Sequence, residues 1–266
     1  GFHRYSTDQQ WLVPHFEKMV YDQALLARAY LEACQVTGKS KYADAARDIF
    51  EYVLRDMRDP QGGFYSAEDA GEVGKEGEYY VWTPQEIEQA LGAEDAKLFH
   101  RFYGVTPGGN FGHGTTILSI VTPLEAFAHA EGLAPEEVHA RLEAARATLL
   151  AARSQRARPH RDDKILTDWN GLMSGALAYG ARVLDEPRYA EAAKASASFV
   201  LDKLQRQGRL LHRYRDGDAS IPAFLDDHAF LAWGLMDLYE ATGEARWLAE
   251  AKRLTQEMVR LFWDDQ

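Results

Sequence analysis

The sequence predicts an all-α fold in which helical hairpins form a ring, an (α/α) toroid of the six-hairpin type that is incomplete here and carries short β insertions. Three observations predict it: an internal repeat, a constant spacing between helix starts and turns, and a contrast between apolar and charged helices. The repeat is visible first in the tripeptide His-Arg-Tyr, which occupies residues 3–5 and again residues 212–214. Such self-similarity is typical of folds that stack one supersecondary unit.

Each repeat begins with an aspartate and reaches a turn after nearly the same number of residues. The aspartates and their turns are Asp22 and Gly38, Asp168 and Asp185, and Asp227 and Gly243. The spacing is 16, 17 and 16 residues, and a second helical run follows each turn. Short extended segments are predicted near residues 62–65 and 208–210. The repeating unit is therefore a helix, a short turn, a second helix and a short strand.

Within each predicted hairpin the first helix is the more apolar one. The first helices cover residues 20–36, 169–184 and 228–239, and the second helices cover residues 41–57, 189–204 and 247–262. An apolar stripe that is wider than a surface helix needs indicates burial, so the helix over residues 20–36 is expected to be buried on most sides. The charged second helices are expected to lie outside a ring of inner helices that share one direction.

The middle of the chain is less regular. Thr83 and Glu86 have the spacing of a capping box, with Pro84 at the first helical position, and this predicts a helix that ends at Leu91. Two more helices are predicted over residues 93–103 and 135–153. Residues 65–82, which contain an acidic, glycine-rich stretch, are predicted to form a β-hairpin inserted over the ring. The acidic stretch is not predicted to bind calcium, because its residues lack the ligand spacing of a calcium-binding loop.

No linker is long or biased enough to separate domains, so residues 1–266 are predicted to form a single toroid domain. The segment 1–5 is expected to be the strand that closes a helix pair missing from this chain. Residues 264–266 are expected to end just before another strand. We therefore predict that the chain is an excerpt of a longer protein.

Composition and charge exclude several classes of protein. Hydrophobic residues make up 46% of the chain, which is enough to bury a sizeable core. The net charge of −11 argues against nucleic acid as the partner. No apolar run approaches the ~20 residues of a membrane-spanning helix. The single cysteine permits no internal disulfide, which fits a reducing, cytoplasmic setting.

Motifs that would indicate a cofactor are missing from the sequence. We find no GxGxxG after a strand, no GxxxxGKS or GxxxxGKT loop, and no HExxH motif. We therefore predict no cofactor and no metal ion, and a small-molecule ligand rather than nucleic acid or a membrane. The oligomeric state is not indicated by the sequence.

The starts of the inner helices combine acidic, aromatic and amide side chains. Because these helices share a direction, their first turns are expected to collect at one mouth of the ring. Aromatic faces stack on the C–H surfaces of sugars, and acids and amides hydrogen-bond their hydroxyls, so the mixture favours a carbohydrate site. Helix capping is an equally good explanation for Asp22 and Asp226. The residues expected to bind the ligand are Glu17, Glu68, Asp69, Trp82, His160, Arg161, Trp169 and Asn170.

Five segments resemble one known family, and the resemblance covers essentially the whole chain. They are residues 1–8, 11–19, 64–70, 158–171 and 223–230, and they resemble the spermatogenesis-associated, thioredoxin-domain-containing family. The resemblance implies an N-terminal thioredoxin-like domain followed by an (α/α)6 toroid similar to N-acylglucosamine 2-epimerases and six-hairpin glycosidases. This chain departs from that pattern because it lacks the thioredoxin-like domain and the C-terminal hairpins.

The first functional hypothesis is a carbohydrate-active protein of the sugar epimerase or isomerase type. This chemistry takes a proton from the carbon beside a carbonyl and returns it on the other face. It needs two acid–base groups whose pKa values lie near the operating pH, and histidine is the usual choice. His15 and His228 are the candidate bases, and Glu17, Asp168 and Asp227 would orient or assist them.

Two alternatives remain open at this point. Glycoside hydrolysis would use two carboxylates about 5–10 Å apart across the scissile bond, and Asp168 and Asp227 are the candidate pair, with Glu68 as an outsider. The third hypothesis is a non-catalytic domain that binds a ligand or scaffolds a partner. No feature of the sequence selects hydrolysis over epimerisation.

Overall fold

The computed structural model describes residues 1–264 and is mostly helical. Residues 265 and 266, on which the predicted end before a strand depends, lie outside the described part of the chain. The helices are α1 (Val20–Thr37), α2 (Ser40–Tyr52), α3 (Pro84–Leu91), α4 (Ala93–Tyr103), α5 (Leu124–Glu131), α6 (Pro135–Arg153), α7 (Thr167–Leu184), α8 (Pro187–Lys203), α9 (Leu225–Thr242) and α10 (Ala245–Phe262). The strands are β1 (Lys18–Met19), β2 (Ala67–Glu68), β3 (Arg161–Asp162), β4 (Ile165–Leu166), β5 (Gln205–Arg206), β6 (Arg209–Arg215) and β7 (Asp218–Pro222).

The chain divides into two compact units. One, which we call the hairpin unit, contains residues 1–4, 17–69 and those from 161 onward. The other, which we call the second unit, contains residues 5–16 and 70–160. The sequence analysis predicted that residues 1–266 form one toroid domain that lacks a thioredoxin-like domain and C-terminal hairpins. That domain organisation stays a prediction.

The hairpin unit consists of the three predicted helical hairpins, α1–α2, α7–α8 and α9–α10. The first helix of each hairpin is the inner one, and α7 packs against both α1 and α9. Every predicted turn position is a left-handed cap that ends the inner helix: Gly38 has a φ of 67°, Asp185 of 55° and Gly243 of 69°. A residue in this conformation ends a helix because its positive φ turns the following backbone out of the helical path, while its own N–H still bonds to the last turn. The predicted repeat is therefore confirmed.

Burial differs among the inner helices. Twelve of the 18 residues of α7 are buried, because α7 has a neighbouring helix on both sides. The prediction that α1 is buried on most sides is wrong: five of its 18 residues are buried, and Leu25 is 47% exposed. The alanines of α1 make its apolar pattern wide in the sequence. They do not need a second helix to cover them, because small side chains are tolerated on exposed helix surfaces.

The helices α7 and α9 approach each other closely where their facing positions are glycines. A Cβ added at Gly171 would lie 2.5 Å from the backbone nitrogen of Leu231, and one added at Gly234 would overlap the carbonyl oxygen of Gly171. Neither obstacle is a flexible side chain, so the backbones themselves would have to separate. The glycines therefore set the distance between the two helices.

We predict that Gly234→Ala lowers the free energy of unfolding by about 1–3 kcal/mol, because the added methyl overpacks the α7–α9 contact. Gly108→Ala is the matched control, since a Cβ at Gly108 meets nothing within 4 Å, and its effect should stay within about 0.5 kcal/mol. Urea denaturation followed by circular dichroism measures both. Equal stability of the two variants would contradict the close approach.

Short antiparallel strands join the ends of the hairpins. One sheet has the order β1-β2-β3, and in the other β6 pairs with β4, β5 and β7. In the second sheet Leu166, which directly precedes α7, is the register partner of Arg213 on β6. The second copy of the His-Arg-Tyr tripeptide thus lies beside the start of α7.

The first copy of the tripeptide does not form the predicted strand over residues 1–5. Instead, the backbone N–H of Phe2 donates to the side-chain oxygen of Gln23 at 2.7 Å, and the Gln23 amide donates to the Phe2 carbonyl at 2.7 Å. The amide of a buried glutamine on α1 takes the place of a partner strand. The prediction failed because the segment has the residues of a strand but meets a side chain instead of a strand edge.

The second unit contains α3 to α6 and a hydrophobic core of its own. The predicted capping box is present: Glu86 N–H donates to the Thr83 hydroxyl at 3.2 Å, and Thr83 N–H donates to the Glu86 carboxylate at 2.8 Å. The predicted bounds of α3, α4 and α6 are confirmed. The helix α5 was not predicted, because its eight residues are too few to show a clear period.

The predicted β-hairpin over residues 65–82 is wrong. The strand β2 pairs with β1 and β3, and residues 71–81 form turns. Trp82 makes one isolated bridge, to Thr116. The glycines of the acidic stretch favour successive turns over a ladder of paired strands.

In the part of the chain described here, no helix combines the length and the apolar composition that crossing a membrane would require.

Candidate active site

The carboxylate of Asp227 joins the starts of α7 and α9 in the hairpin unit. One oxygen accepts a hydrogen bond from the backbone N–H of Phe224 at 2.8 Å, which caps the first turn of α9. The other accepts from the backbone N–H of Asp168 at 3.0 Å. Asp227 is fully buried, at 0% exposed. The cap on α9 is thus Asp227 rather than the predicted Asp226, and it also holds the neighbouring helix.

The imidazole of His212 faces this buried carboxylate. Its Nδ1 lies 2.9 and 3.0 Å from the two oxygens of Asp227. Because both atoms that face Nδ1 are carboxylate oxygens, Nδ1 carries the hydrogen and the neutral ring has its lone pair on Nε2. Nε2 has no hydrogen-bond partner among residues 1–264. The strand β6 carries His212 to this position, and the Phe224 ring contacts the imidazole at 5.0 Å between centroids.

Asp168 is the third member of the cluster. The residue is 9% exposed, and its carboxylate accepts a hydrogen bond from the backbone N–H of Trp169 at 2.8 Å. Burial, together with the negative charge of Asp227, raises the pKa of Asp168 to about 6. A carboxyl group with this pKa gives up and takes back a proton near neutral pH, as a general acid or base must.

We expect the raised pKa of Asp168 to appear as a pH dependence of stability. Its contribution is fully present below the ordinary pKa of 3.8 and is lost as the pH rises through about 6. Asp168→Asn, which has no charge to bury, should therefore stabilise the protein by about 2 kcal/mol at pH 7.5 and by little at pH 4. Thermal unfolding of both proteins at the two pH values measures the difference. An equal gain at both values would contradict the raised pKa.

The same three side chains could hold a metal ion. Asp168, His212 and Asp227 each offer one ligand atom, and the three atoms lie within 4.8 Å of one another. However, both oxygens of Asp227 already accept backbone hydrogen bonds and face Nδ1 of the imidazole. A metal ion would have to displace these donors. The predicted absence of a metal ion stays a prediction.

A second polar group lies at the start of α1. Arg4 donates to Glu17 at 3.1 Å and to the hydroxyl of Tyr21 at 2.7 Å, and it lies 3.6 Å from Asp22. Burial raises the pKa of Asp22. The ring of Tyr21 contacts Trp169 edge-on at 4.8 Å between centroids. The hairpin unit thus brings Glu17 and Trp169, both predicted ligand-binding residues, towards the helix starts that carry Asp168.

Other predicted residues of the hairpin unit have contacts of their own. The buried carboxylate of Glu68 accepts from the Tyr52 hydroxyl at 2.9 Å. The guanidinium of Arg161 lies 4.1 Å from the centre of the Tyr65 ring. Asp69 follows β2 and is half-buried. None of these contacts connects the three residues with the Asp227 cluster.

Asn170 is buried, and both polar atoms of its side chain form hydrogen bonds within the protein. Its oxygen accepts from the N–H of Phe64 at 2.7 Å and from the Ser196 hydroxyl at 3.2 Å. Its amide nitrogen donates to the carbonyls of Phe64 at 3.0 Å and Leu166 at 2.8 Å. This amide ties an extended segment to the start of α7.

The two predicted catalytic histidines lie in different units. His228 is 1% exposed; its Nδ1 lies 2.8 Å from the carbonyl of Phe224, and its ring packs on Phe262. His15 belongs to the second unit and pairs with the ring of Tyr5 at 5.1 Å. Their catalytic role stays a prediction. Trp82, which is buried under the guanidinium of Arg156, and the exposed His160 also belong to the second unit.

The sequence prediction missed His212. Its signal was present, because the repeated His-Arg-Tyr tripeptide contains this histidine, but the repeat was interpreted only as a sign of architecture. Fifteen residues separate His212 from Asp227. A pairing over that distance depends on the β6 strand turning back towards the helix starts, which no local pattern specifies.

Comparison with known proteins places the whole chain in one family, although no protein-family model matches it. Spermatogenesis-associated protein 20 of Homo sapiens is 41% identical over 300 residues, which cover 100% of this chain and 38% of the relative. The Mus musculus protein of the same name is 40% identical over 298 residues, with 99% and 38% covered. The chain belongs to the same family as spermatogenesis-associated protein 20. It spans about two fifths of the length of these relatives.

The family resemblance noted from the sequence is thus confirmed. The thioredoxin-like domain and the cytoplasmic setting that were expected for this relative of spermatogenesis-associated protein 20 stay predictions. The activity, substrates and partners of the whole protein are likewise matters for proposal.

Solved structures share the fold. The unsaturated glucuronyl hydrolase of Bacillus sp. GL1 superposes with a TM-score of 0.54 at 12% identity, over 100% of this chain and 51% of that one. A family 76 glycoside hydrolase, a mannosidase of Bacteroides thetaiotaomicron, superposes with a TM-score of 0.51 at 11% identity, over 92% and 45%. At such identity the likeness shows the fold alone. The predicted (α/α) toroid is confirmed, and it is a fold that carbohydrate-active enzymes use.

Proposed function

We propose that this chain carries out proton-transfer chemistry on a sugar, as an epimerase or isomerase does, with His212 as the base and Asp168 as its acid partner. The observation that carries the proposal is the placement of His212 Nδ1 at 2.9 and 3.0 Å from the oxygens of buried Asp227. This contact fixes the tautomer and leaves the Nε2 lone pair available for a substrate proton. The histidine chemistry proposed from the sequence is thereby moved from His15 and His228 to His212.

Each member of the cluster has a separate task in this proposal. Nε2 of His212 takes the proton from the carbon beside the carbonyl, and the electron pair of the broken C–H bond forms the enediolate. The carboxylate of Asp227 accepts the hydrogen bond from Nδ1 and stabilises the imidazolium, as the carboxylate of a catalytic triad does. Asp168, with its pKa of about 6, donates its proton to the other face of the carbon, which gives the epimer. The imidazolium of His212 then returns its proton to the carboxylate of Asp168 through solvent, so that both groups regain their starting states.

The carboxylates of Asp168 and Asp227 support glycoside hydrolysis less well than they support proton transfer. Their ligand atoms lie within 4.8 Å, which approaches the separation of about 5–5.5 Å in retaining glycosidases. A nucleophile must reach the sugar, however, and Asp227 is fully buried with both oxygens accepting hydrogen bonds.

In the proposed site Trp169 and Glu17 contact the sugar ring and its hydroxyls. The proposed ligand is a small sugar, with neither nucleic acid nor a membrane as partner.

The test is exchange of the substrate proton with solvent. The full-length protein is incubated in heavy water with a panel of reducing sugars and N-acyl amino sugars, and mass spectrometry detects deuterium at the carbon beside the carbonyl. We expect exchange that persists after dialysis against a chelator. Release of a free sugar from glycosides without exchange would replace the proposal by hydrolysis, and loss of exchange on chelation would assign the three side chains to a metal ion.

A further inference from the structure

A loop of the second unit presents a tryptophan to solvent. Residues 6–14 form this loop, which we call the Trp11 loop. It is closed by a bridge between Ser6 and Pro14 and by the N–H of Thr7, which donates to the carbonyl of Val13 at 2.8 Å. The closing contacts are those of a narrow antiparallel ladder, so the residues between them form its tip. Trp11 lies in this tip.

The side chain of Asp8 organises the tip from within. Its carboxylate accepts hydrogen bonds from the backbone N–H groups of Gln10 at 2.7 Å, Leu12 at 3.1 Å and Val13 at 2.5 Å. The bond from Val13 is the main reason that the pKa of Asp8 is lowered. Three backbone donors around one carboxylate leave the loop little freedom. The tip is therefore preorganised.

Trp11 occupies this tip at a conformational cost. Its φ is 58°, in the left-handed region where a glycine would be unstrained, and its side chain is 83% exposed. An indole in water loses the stabilisation that burial would provide. Neither the backbone strain nor the exposure benefits the fold, and both are typical of a residue that is presented for binding.

The chemistry around Trp11 selects the kind of ligand. Gln9 and Gln10 precede it and are exposed, so two neutral amides lie beside the indole in the chain. No lysine or arginine occurs in the segment 5–16, and Asp8 adds a negative charge, so phosphates and carboxylates are disfavoured. A flat aromatic face with amide donors and acceptors suits a neutral pyranose, whose C–H face is apolar and whose edge carries hydroxyls.

We propose that the Trp11 loop is a binding subsite for neutral oligosaccharides, in which the indole stacks on a pyranose ring and the side chains of Gln9 and Gln10 bind its hydroxyls. The choice of a sugar among hydroxylated ligands rests on the proposed function. The subsite itself stands on residues that take no part in the His212 cluster. It would bind a sugar unit of a longer chain or of a glycan.

The test is binding of cellotetraose and mannotetraose to the full-length protein, followed by intrinsic tryptophan fluorescence and by calorimetry. We expect Trp11→Ala to weaken binding of one of them at least tenfold and Trp11→Phe to restore part of the loss. Asp8→Asn, which keeps the indole but removes one acceptor oxygen, should weaken binding severalfold. Trp263→Ala is the matched control, since Trp263 is 72% exposed in the hairpin unit, and it should bind as the unchanged protein does.

Three outcomes would overturn the subsite: no binding of either tetraose, binding that is indifferent to Trp11→Ala, or equal binding of a tetragalacturonate. Failure here is distinguishable from failure of the proposed function. Deuterium exchange that requires His212 but not Trp11, without binding at the Trp11 loop, would support the proton-transfer site and reject the subsite. Binding that depends on Trp11, without exchange in any sugar, would support the subsite and reject the proton-transfer site.

Discussion

Replacing His212 with glutamine is expected to lower the rate of deuterium exchange into the substrate by about 10²–10⁴-fold. Glutamine keeps a polar side chain on β6 but has no group that can accept a carbon-bound proton. Asp227→Asn should lower the rate comparably, because an amide facing Nδ1 no longer fixes the tautomer that leaves Nε2 unprotonated. The rate is measured on the sugar that exchanges in the unchanged protein, over pH 5 to 8. A lowered exchange rate at an unchanged melting temperature would separate a catalytic role from a structural one.

The control for these variants is His139→Gln, because His139 is exposed on α6 in the second unit. Its exchange rate and melting temperature should equal those of the unchanged protein. His15→Gln and His228→Gln test the roles predicted from the sequence. If His212→Gln exchanged at the normal rate while either of them did not, the assignment of the base to His212 would be wrong.

Asn170→Ala is expected to lower the free energy of unfolding by about 3–5 kcal/mol. The substitution removes the partners of the Phe64 N–H and carbonyl and of the Leu166 carbonyl, all held by the buried amide. Each buried backbone group without a partner costs about 1–3 kcal/mol, and no water replaces the amide in a packed site. Denaturant unfolding gives the stability, and the affinity for a sugar tests the binding role predicted from the sequence.

Asn110 offers a matched control for this experiment. Its amide makes the same kind of bonds, accepting from the N–H of Ile117 at 2.8 Å and donating to its carbonyl at 3.0 Å, but it is exposed. Since water satisfies the Ile117 groups after Asn110→Ala, the cost should be about 1 kcal/mol or less. A stable Asn170→Ala variant with weakened sugar binding would instead identify Asn170 as a ligand-binding residue.

Local patterns predicted most of the helical architecture. The turns at Gly38, Asp185 and Gly243 were located to the residue, because the spacing from aspartate to turn is nearly constant, and each of these positions is a left-handed cap. The capping box at Thr83 and the end of α3 were equally visible, since capping depends on residues only three apart. The family resemblance likewise follows from the sequence alone.

The candidate site was predicted only in part. Asp168 and Asp227 were chosen because they begin inner helices, and the structure brings them together. Their partner His212 lies on a strand, so its approach depends on the pairing of β6 with β4, which is decided by the packing of whole hairpins. For Asn170 the sequence showed a polar residue near a predicted mouth, whereas its hydrogen bonds to Phe64 span 106 residues.

The sequence by itself determined the repeating hairpin, its caps and the acids at the inner-helix starts, because these depend on contacts within a few turns of one helix. The tertiary structure alone decided that Asp227 binds both the start of α7 and the ring of His212. It also decided that segment 1–5 pairs with the Gln23 side chain rather than with a strand. The physical reason is that a polar group takes whichever partner the packing of distant segments brings within hydrogen-bond distance, and no local preference specifies that partner.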